Sequence, residues 1–110
     1  MKNTLPSDTL QLETEAKFFK GLADKSRLAI LETLLEGERT VADIVKMTGL
    51  SQPNVSAHLA CLLDCGMVRK RRDGQWTLYQ ASSNEVSEVI GLMRKMVAAH
   101  AKEIFECTHY

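Results

Sequence analysis

The chain has no surplus charge: 14 Lys and Arg are offset by 14 Asp and Glu. That balance excludes a protein that coats nucleic acid through bulk charge, and it directs attention to places where basic residues are locally concentrated. No apolar run reaches 18 residues and no signal-peptide pattern is present, so no membrane partner is expected and the protein reads as cytoplasmic. Cysteine is scarce and odd in number, three in all. Without a secretion signal such cysteines are read as reduced thiols rather than as a disulfide framework. The signatures of catalysis are missing too. There is no phosphate loop, no GxSxG and no HExxH, and His58, His100 and His109 have no evident nucleophile partner, so no enzyme is expected. What remains is one small domain of 110 residues, 45% hydrophobic, enough to bury a core.

The informative stretch runs from Thr40 to Cys65. Val41, Ile44 and Val45 fall at i, i+3 and i+4 and give one apolar stripe on a short helix. Thr40 is a good N-cap, with Asp43 three residues on, close to a capping box and favourable at the positive helix end. Met47-Thr48-Gly49 breaks the pattern, Gly49 being free to take the left-handed conformation of a tight turn. A second helix then starts at Ser51 as N-cap, with Pro53 in the first turn. Val55, Leu59, Leu62 and Leu63 form its buried stripe. Gln52, Asn54, Ser56, Ala57 and His58 face elsewhere and, with Ser51, are short, polar and mostly uncharged. They suit base edges and phosphates in a major groove. Helix, Gly turn, helix is the pattern of a helix-turn-helix, although an ordinary helical hairpin with a solvated polar face shares it.

After Gly66, the run Met67 to Arg72 leads into Asp73-Gly74, and Gln75 to Gln80 leads out. Asp-Gly between two β-prone runs is a strong hairpin signal. Arg69, Lys70, Arg71 and Arg72 cannot all face a core. A basic hairpin directly after a helix-turn-helix is a wing, whose Arg69, Arg71, Arg72 and Gln75 are placed to meet phosphates. A charged edge hairpin that merely discourages aggregation is the bland alternative. The expected fold is mostly α with a small β-hairpin, a dimeric winged helix-turn-helix: a loose arm at 1–7, the helix-turn-helix at 40–65, the wing at 67–80, and a C-terminal dimerisation helix and tail at 84–107.

Two further helices precede this unit. Leu12, Ala16, Phe19 and Leu22 recur at helical spacing, predicting a first helix from Asp8 to about Lys20, ended by Gly21. Asp24 caps a second, apolar over much of its girth and so the central core helix, closed by Gly37. The last helix, about Glu85 to Phe105, carries Val86, Val89, Ile90, Met93, Met96, Val97, Ile104 and Phe105. So long an apolar stripe has little to bury against in one small domain, and a second copy is the natural partner, giving two recognition helices for two operator half-sites.

The run from Gly21 to Leu31 resembles the "ALADPTRLRIL" helix of the ArsR/SmtB family of metal-sensing repressors. Ser51 to Leu59 resembles that family's recognition helix, and Gly74 to Tyr79 its wing. The resemblance covers roughly Phe19 to Ile104. It implies a homodimer that holds double-stranded operator DNA and lets go when its inducer binds. The family's Cys-Val-Cys site would need cysteines near Thr40 and Ala42, and none is there. Its zinc site at the last helix is half present: His100 and Glu103 match in spacing, but positions about Ser87 and Val89 cannot ligate. The stretch from Leu59 to Val68 is similar to the CmtR-type cadmium and lead sensors, in which two cysteines four apart are joined by a C-terminal cysteine of the other subunit. The resemblance thus implies Cys61, Cys65 and Cys107 as metal ligands, with the surroundings of Cys107 departing from the pattern.

The physical case is independent of the family. Residues i and i+4 share a helix face with Cβ atoms about 6 Å apart, near enough for Cys61 and Cys65 to share one ion. Thiolates select soft metals. Three sulfurs leave a structural zinc site one ligand short, so cadmium or lead is the expected inducer, with zinc open if His109 or Glu106 supplies a fourth ligand. Buried core cysteine is the bland alternative. A thiol redox sensor of the same fold is the rival. A disulfide within one helix is poorly oriented, so such a bond would involve Cys107.

Overall fold

A computed structural model describes residues 8–109; the expected loose arm at 1–7 lies outside them. Its elements are α1 (Asp8–Leu22), α2 (Lys25–Thr33), α3 (Val41–Thr48), α4 (Gln52–Asp64), β1 (Val68–Asp73), β2 (Trp76–Ala81) and α5 (Asn84–Glu106). Local chemistry sets most of the boundaries. Asp24 caps α2 by accepting the Arg27 N–H at 3.0 Å. Thr40 and Asp43 close a reciprocal capping box on α3, at 3.1 and 3.0 Å, which satisfies two of the amides that a helix start leaves without partners. Gly49 ends α3 at φ 77°, and Ser51 caps α4 on the Asn54 N–H.

Two helix ends differ from expectation. α1 continues through Gly21 to Leu22, where a backbone bond from the Ala23 N–H to the Lys20 carbonyl completes its last turn. α2 stops at Thr33, well before Gly37, because the Leu34 and Leu35 amides fall back to i−3 carbonyls. The hairpin turn also sits one residue later than Asp73-Gly74 predicts. Asp73 pairs with Trp76, leaving Gly74-Gln75 as the loop. Gly74 has φ 63° and no residue other than glycine has positive φ among the described residues. That is the requirement of a II′ turn, glycine first, whereas a turn centred on Asp73-Gly74 would force Asp73 into the left-handed region.

The core is one cluster: Ile30, Leu31 and Leu34 from the α2 segment, Ile44, the α4 stripe Val55, Leu59 and Leu62, then Met67, Val68 and Ile90. α2 is central, as its apolar girth implies. Each fully buried branched side chain contributes about 1.5–3 kcal/mol. Arg39 and Tyr79 exchange backbone hydrogen bonds at 2.9 and 2.8 Å, an isolated bridge that ties the α2–α3 loop to the wing.

α5 is anchored by Ile90 with Val86 and Met93, then leaves the core. Leu92, Met96, Val97, Ile104 and Phe105 are exposed, Phe105 at 91%. Leu12 and Phe19 of α1 are exposed too. The helix is not regular throughout: His100 takes φ −128°, ψ 27° and kinks it.

Candidate nucleic-acid interface and thiol site

α4 carries two kinds of chemistry at its two ends. At the N-terminal end, Ser51, Gln52, Asn54 and Ala57 are exposed, as a groove-reading face requires. Gln52 Nε2 donates to Ser56 Oγ at 2.9 Å, so these two side chains are already oriented together. Ser56 and His58 are half-buried. His58 turns inward rather than outward, its Nε2 4.0 Å from Asp24 Oδ1 at the start of α2.

The wing presents Arg69, Lys70, Arg71, Arg72 and Gln75, all exposed. Strand alternation puts Arg69 and Arg71 on one face and Lys70 and Arg72 on the other. Arg71 is not free. Its Nε and Nη2 donate to Glu38 Oε2 and Oε1 at 2.6 and 2.8 Å. Gln80 donates to the same carboxylate at 3.1 Å and accepts from Arg69 Nη2 at 3.3 Å. The Arg71 hydrogen bond holds the Glu38 carboxyl below the usual range, and Glu38 in turn raises Arg71. The bidentate fork is the strong geometry for an Arg–carboxylate pair.

The cysteines lie at the other end of α4. Cys61 is half-buried and Cys65, the C-cap residue, is exposed. The two thiols are near enough to act on each other. Desolvation, then the charge and hydrogen bond of Cys61, push the Cys65 thiol above its ordinary value, against the lowering influence of Arg27. Cys61 and Cys65 line a groove with Glu13, Lys17 and Lys20 of α1 and Arg27 of α2. Arg27 Nη1 stands 4.0 Å from Cys61 Sγ, its Nη2 is 3.7 Å from Asp24 Oδ2, and its Nε is buried without a hydrogen-bond partner. An unpaired buried donor costs about 1–3 kcal/mol, so Arg27 keeps one donor unsatisfied beside its contacts to Cys61 and Asp24. Asp24 is lowered chiefly by the Arg27 backbone N–H, with desolvation opposing and the charges of His58 and Arg27 adding.

Cys107 is the half-buried C-cap of α5, its N–H bonded to the Ile104 carbonyl. Among the described residues of a single chain, no group of three or more His, Cys, Asp or Glu is placed to hold a metal ion. The chain therefore brings Cys61 and Cys65 together and does not bring Cys107 to them. His100 stands at the kink of α5, so the helical spacing that relates it to Glu103 is interrupted. Sequence reasoning missed Arg27, Lys17, Lys20 and Glu13 beside the thiols and Glu38 beside the wing. No local spacing signals them, since Arg27 and Cys61 are 34 residues apart and Glu38 and Arg71 are 33 apart.

A capped helix-turn-helix followed by a basic hairpin and backed by a core helix defines a winged helix-turn-helix DNA-binding regulator. Comparison with known proteins agrees. The profile of the bacterial regulatory protein, arsR family, matches residues 24–70, and the probable mercury resistance operon repressor of Streptomyces lividans is 45% identical over 87% of this chain and 77% of its own length. The chain belongs to the ArsR family of transcriptional regulators. The crystal structure of M. tuberculosis Rv0081 superposes with a TM-score of 0.78 at 31% identity, covering 93% of this chain and 99% of that one. The homodimeric winged helix-turn-helix domain of Mb0332 from Mycobacterium bovis gives 0.74 at 32% identity, covering 91% and 92%. No helix among the described residues is long and apolar enough to cross a membrane.

Proposed function

We propose that this regulator is a soft-metal-responsive repressor. It binds operator DNA as a homodimer through the exposed face of α4 and the basic wing, and it is released when a thiophilic ion binds Cys61 and Cys65. The observation that carries the reading is the pair of cysteines one turn apart at the end of α4, lining one groove on the helix whose other end carries the exposed polar face. The exposed apolar residues of α1 and α5 supply the dimer face, and the Mb0332 domain is itself homodimeric.

Each thiol surrenders its proton to solvent and offers a sulfur lone pair to the ion. Two sulfurs suffice for an ion that accepts linear coordination, and mercury, named for the Streptomyces lividans relative, is such an ion. Cadmium and lead, the ions implied by the CmtR-type likeness, want a third sulfur, which Cys107 of a second copy would give. Release requires the metal to bind the DNA-free form more tightly, a coupling of about 1–3 kcal/mol.

The test is an ultraviolet titration of reduced, metal-free protein with mercury(II), cadmium, lead and zinc, followed by DNA release. A thiolate-to-metal band saturating at one ion per subunit is expected, with Cys61→Ser and Cys65→Ser binding operator normally but ignoring metal. Loss of the band on Cys107→Ser for cadmium but not for mercury separates three-sulfur from two-sulfur coordination. A folded Cys61→Ser that still releases DNA with metal would overturn the assignment. Absence of any thiolate band would leave the redox reading, for which mass spectrometry after mild oxidant is the check.

A further inference from the structure

We propose that Arg27 and Asp24 form a relay that couples occupancy of the Cys61–Cys65 pair to His58 on the DNA-reading half of α4. This rests on the metal-responsive reading above and supplies its route.

Three contacts carry it. Arg27 Nη1 meets Cys61 Sγ at 4.0 Å, Arg27 Nη2 meets Asp24 Oδ2 at 3.7 Å, and Asp24 Oδ1 meets His58 Nε2 at 4.0 Å. His58 and Cys61 are i and i+3, so they lie on one face of α4 and dock together on the start of α2. Asp24 is the fixed point, because its Oδ1 is also committed to the Arg27 backbone N–H as the α2 cap. None of the three contacts is a tight hydrogen bond, and Arg27 Nε has no partner at all. A shift of less than about 1 Å therefore changes which group each one favours.

A cation arriving at Cys61 displaces the thiol proton and takes the sulfur lone pairs, so Arg27 Nη1 loses its acceptor. Arg27 leaves the sulfur and closes on Asp24. Asp24, now paired with Arg27, releases His58, and the reading half of α4 loses its tether to α2. Arg27 and Asp24 are positioning residues here: neither binds metal or DNA.

The test uses Asp24→Asn in the full-length protein, since Asn still caps α2 but carries no charge for Arg27 and His58. Mercury(II) and cadmium are the probes. Expected are unchanged metal stoichiometry, a metal-free DNA affinity lowered toward that of metal-loaded wild type, and a metal-driven loss of DNA affinity reduced at least tenfold. The His58 ring signals in NMR shift on metal addition in wild type and stay in place in the variant. Arg27→Lys keeps the charge but loses the fork spanning sulfur and carboxylate, and gives the same reduced release. It carries the test if Asp24→Asn fails to fold by circular dichroism. Full metal-driven release in either folded variant overturns the relay while leaving the metal-responsive function intact. A wild-type protein that binds no metal, or keeps its DNA when loaded, overturns both.

Discussion

Glu38→Gln separates two roles for the most tightly held side chain of the wing. Arg71 stands in a row of basic residues where a phosphate contact is expected, yet its fork is fully engaged by Glu38 at 2.6 and 2.8 Å. A phosphate would have to displace a carboxylate that already satisfies the same geometry, and while Glu38 stays in place it sets a negative charge beside the DNA backbone. Glutamine is nearly isosteric and still offers Arg71 one acceptor oxygen, so the loop and the Arg39–Tyr79 bridge behind it are expected to hold. The only large change is one more uncompensated positive charge per wing.

The size of the effect follows from counterion release. One added phosphate contact steepens the dependence of log affinity on log salt by about 0.9, and the two wings of a dimer by about 1.8. Between 50 and 200 mM salt the variant should therefore lose about twelvefold more affinity than wild type. At the low-salt end it should bind more tightly. Fluorescence anisotropy on a duplex obtained by in vitro selection, titrated with salt, measures both quantities. An unchanged or shallower slope together with weaker binding would refute the reasoning. Glu38 would then be aiming Arg71 at the DNA rather than withholding it.

Other expectations follow from the same structure. Leu59 is 1% exposed at the centre of the core, and Leu59→Ala should destabilise by about 3 kcal/mol, read as a fall in Tm of roughly 12–24 °C. Met96→Glu, on the exposed apolar face of α5, should weaken the dimer about a hundredfold, near 3 kcal/mol; light scattering would show monomer at concentrations where wild type is dimeric, and operator affinity would fall with it. Acid should lower stability in part through Asp24, Glu38 and Asp43. All three are lowered from their ordinary values of 3.8, 4.5 and 3.8, by the Arg27 backbone N–H, the Arg71 hydrogen bond and the Thr40 backbone N–H respectively. A depressed carboxylate adds stability above its unfolded pKa and loses it as pH falls through the folded one. Denaturant midpoints should thus be flat across these three groups above about pH 5 and drop below pH 4, and Asp43→Asn should flatten part of that drop.

What was legible in the chain is what is decided within four residues. The Thr40–Asp43 box, Ser51 with Pro53, the left-handed Gly49 and the i,i+4 cysteines each rest on groups that local geometry brings together whatever the rest of the chain does. The hairpin was legible as a hairpin. Its turn was not, because Asp-Gly satisfies two turn types and the choice lies in which residue must take positive φ. Here glycine alone does so, and the loop moves to Gly74-Gln75. The end of α2 escaped for a related reason. Gly37 looked like a stop, but the Leu34 and Leu35 amides tighten to i−3 bonds first, so the chain reaches Arg39 extended and in time to pair with Tyr79.

That bridge explains why the sequence could point to candidate side chains and still miss their company. By pinning the α2–α3 loop to the wing it sets Glu38 against Arg71, and by packing α2 under α4 the core sets Arg27 against Cys61 and Asp24 against His58. Each of these pairs spans more than 30 residues and matches a charged group to a residue whose own spacing pointed to DNA or metal. A helix that read DNA alone would be expected to keep His58 outward, and a helix that held metal alone would not need a guanidinium beside its thiols. On the proposed function α4 does both on one rod of 13 residues, its N-terminal half and its thiol end docked on the same short segment, Asp24 to Arg27. A perturbation at one end of such a rod cannot be absorbed locally, because the core residues Val55, Leu59 and Leu62 between the two ends leave no slack. On the proposed function, coupling between signal and DNA follows from the support that the two sites share.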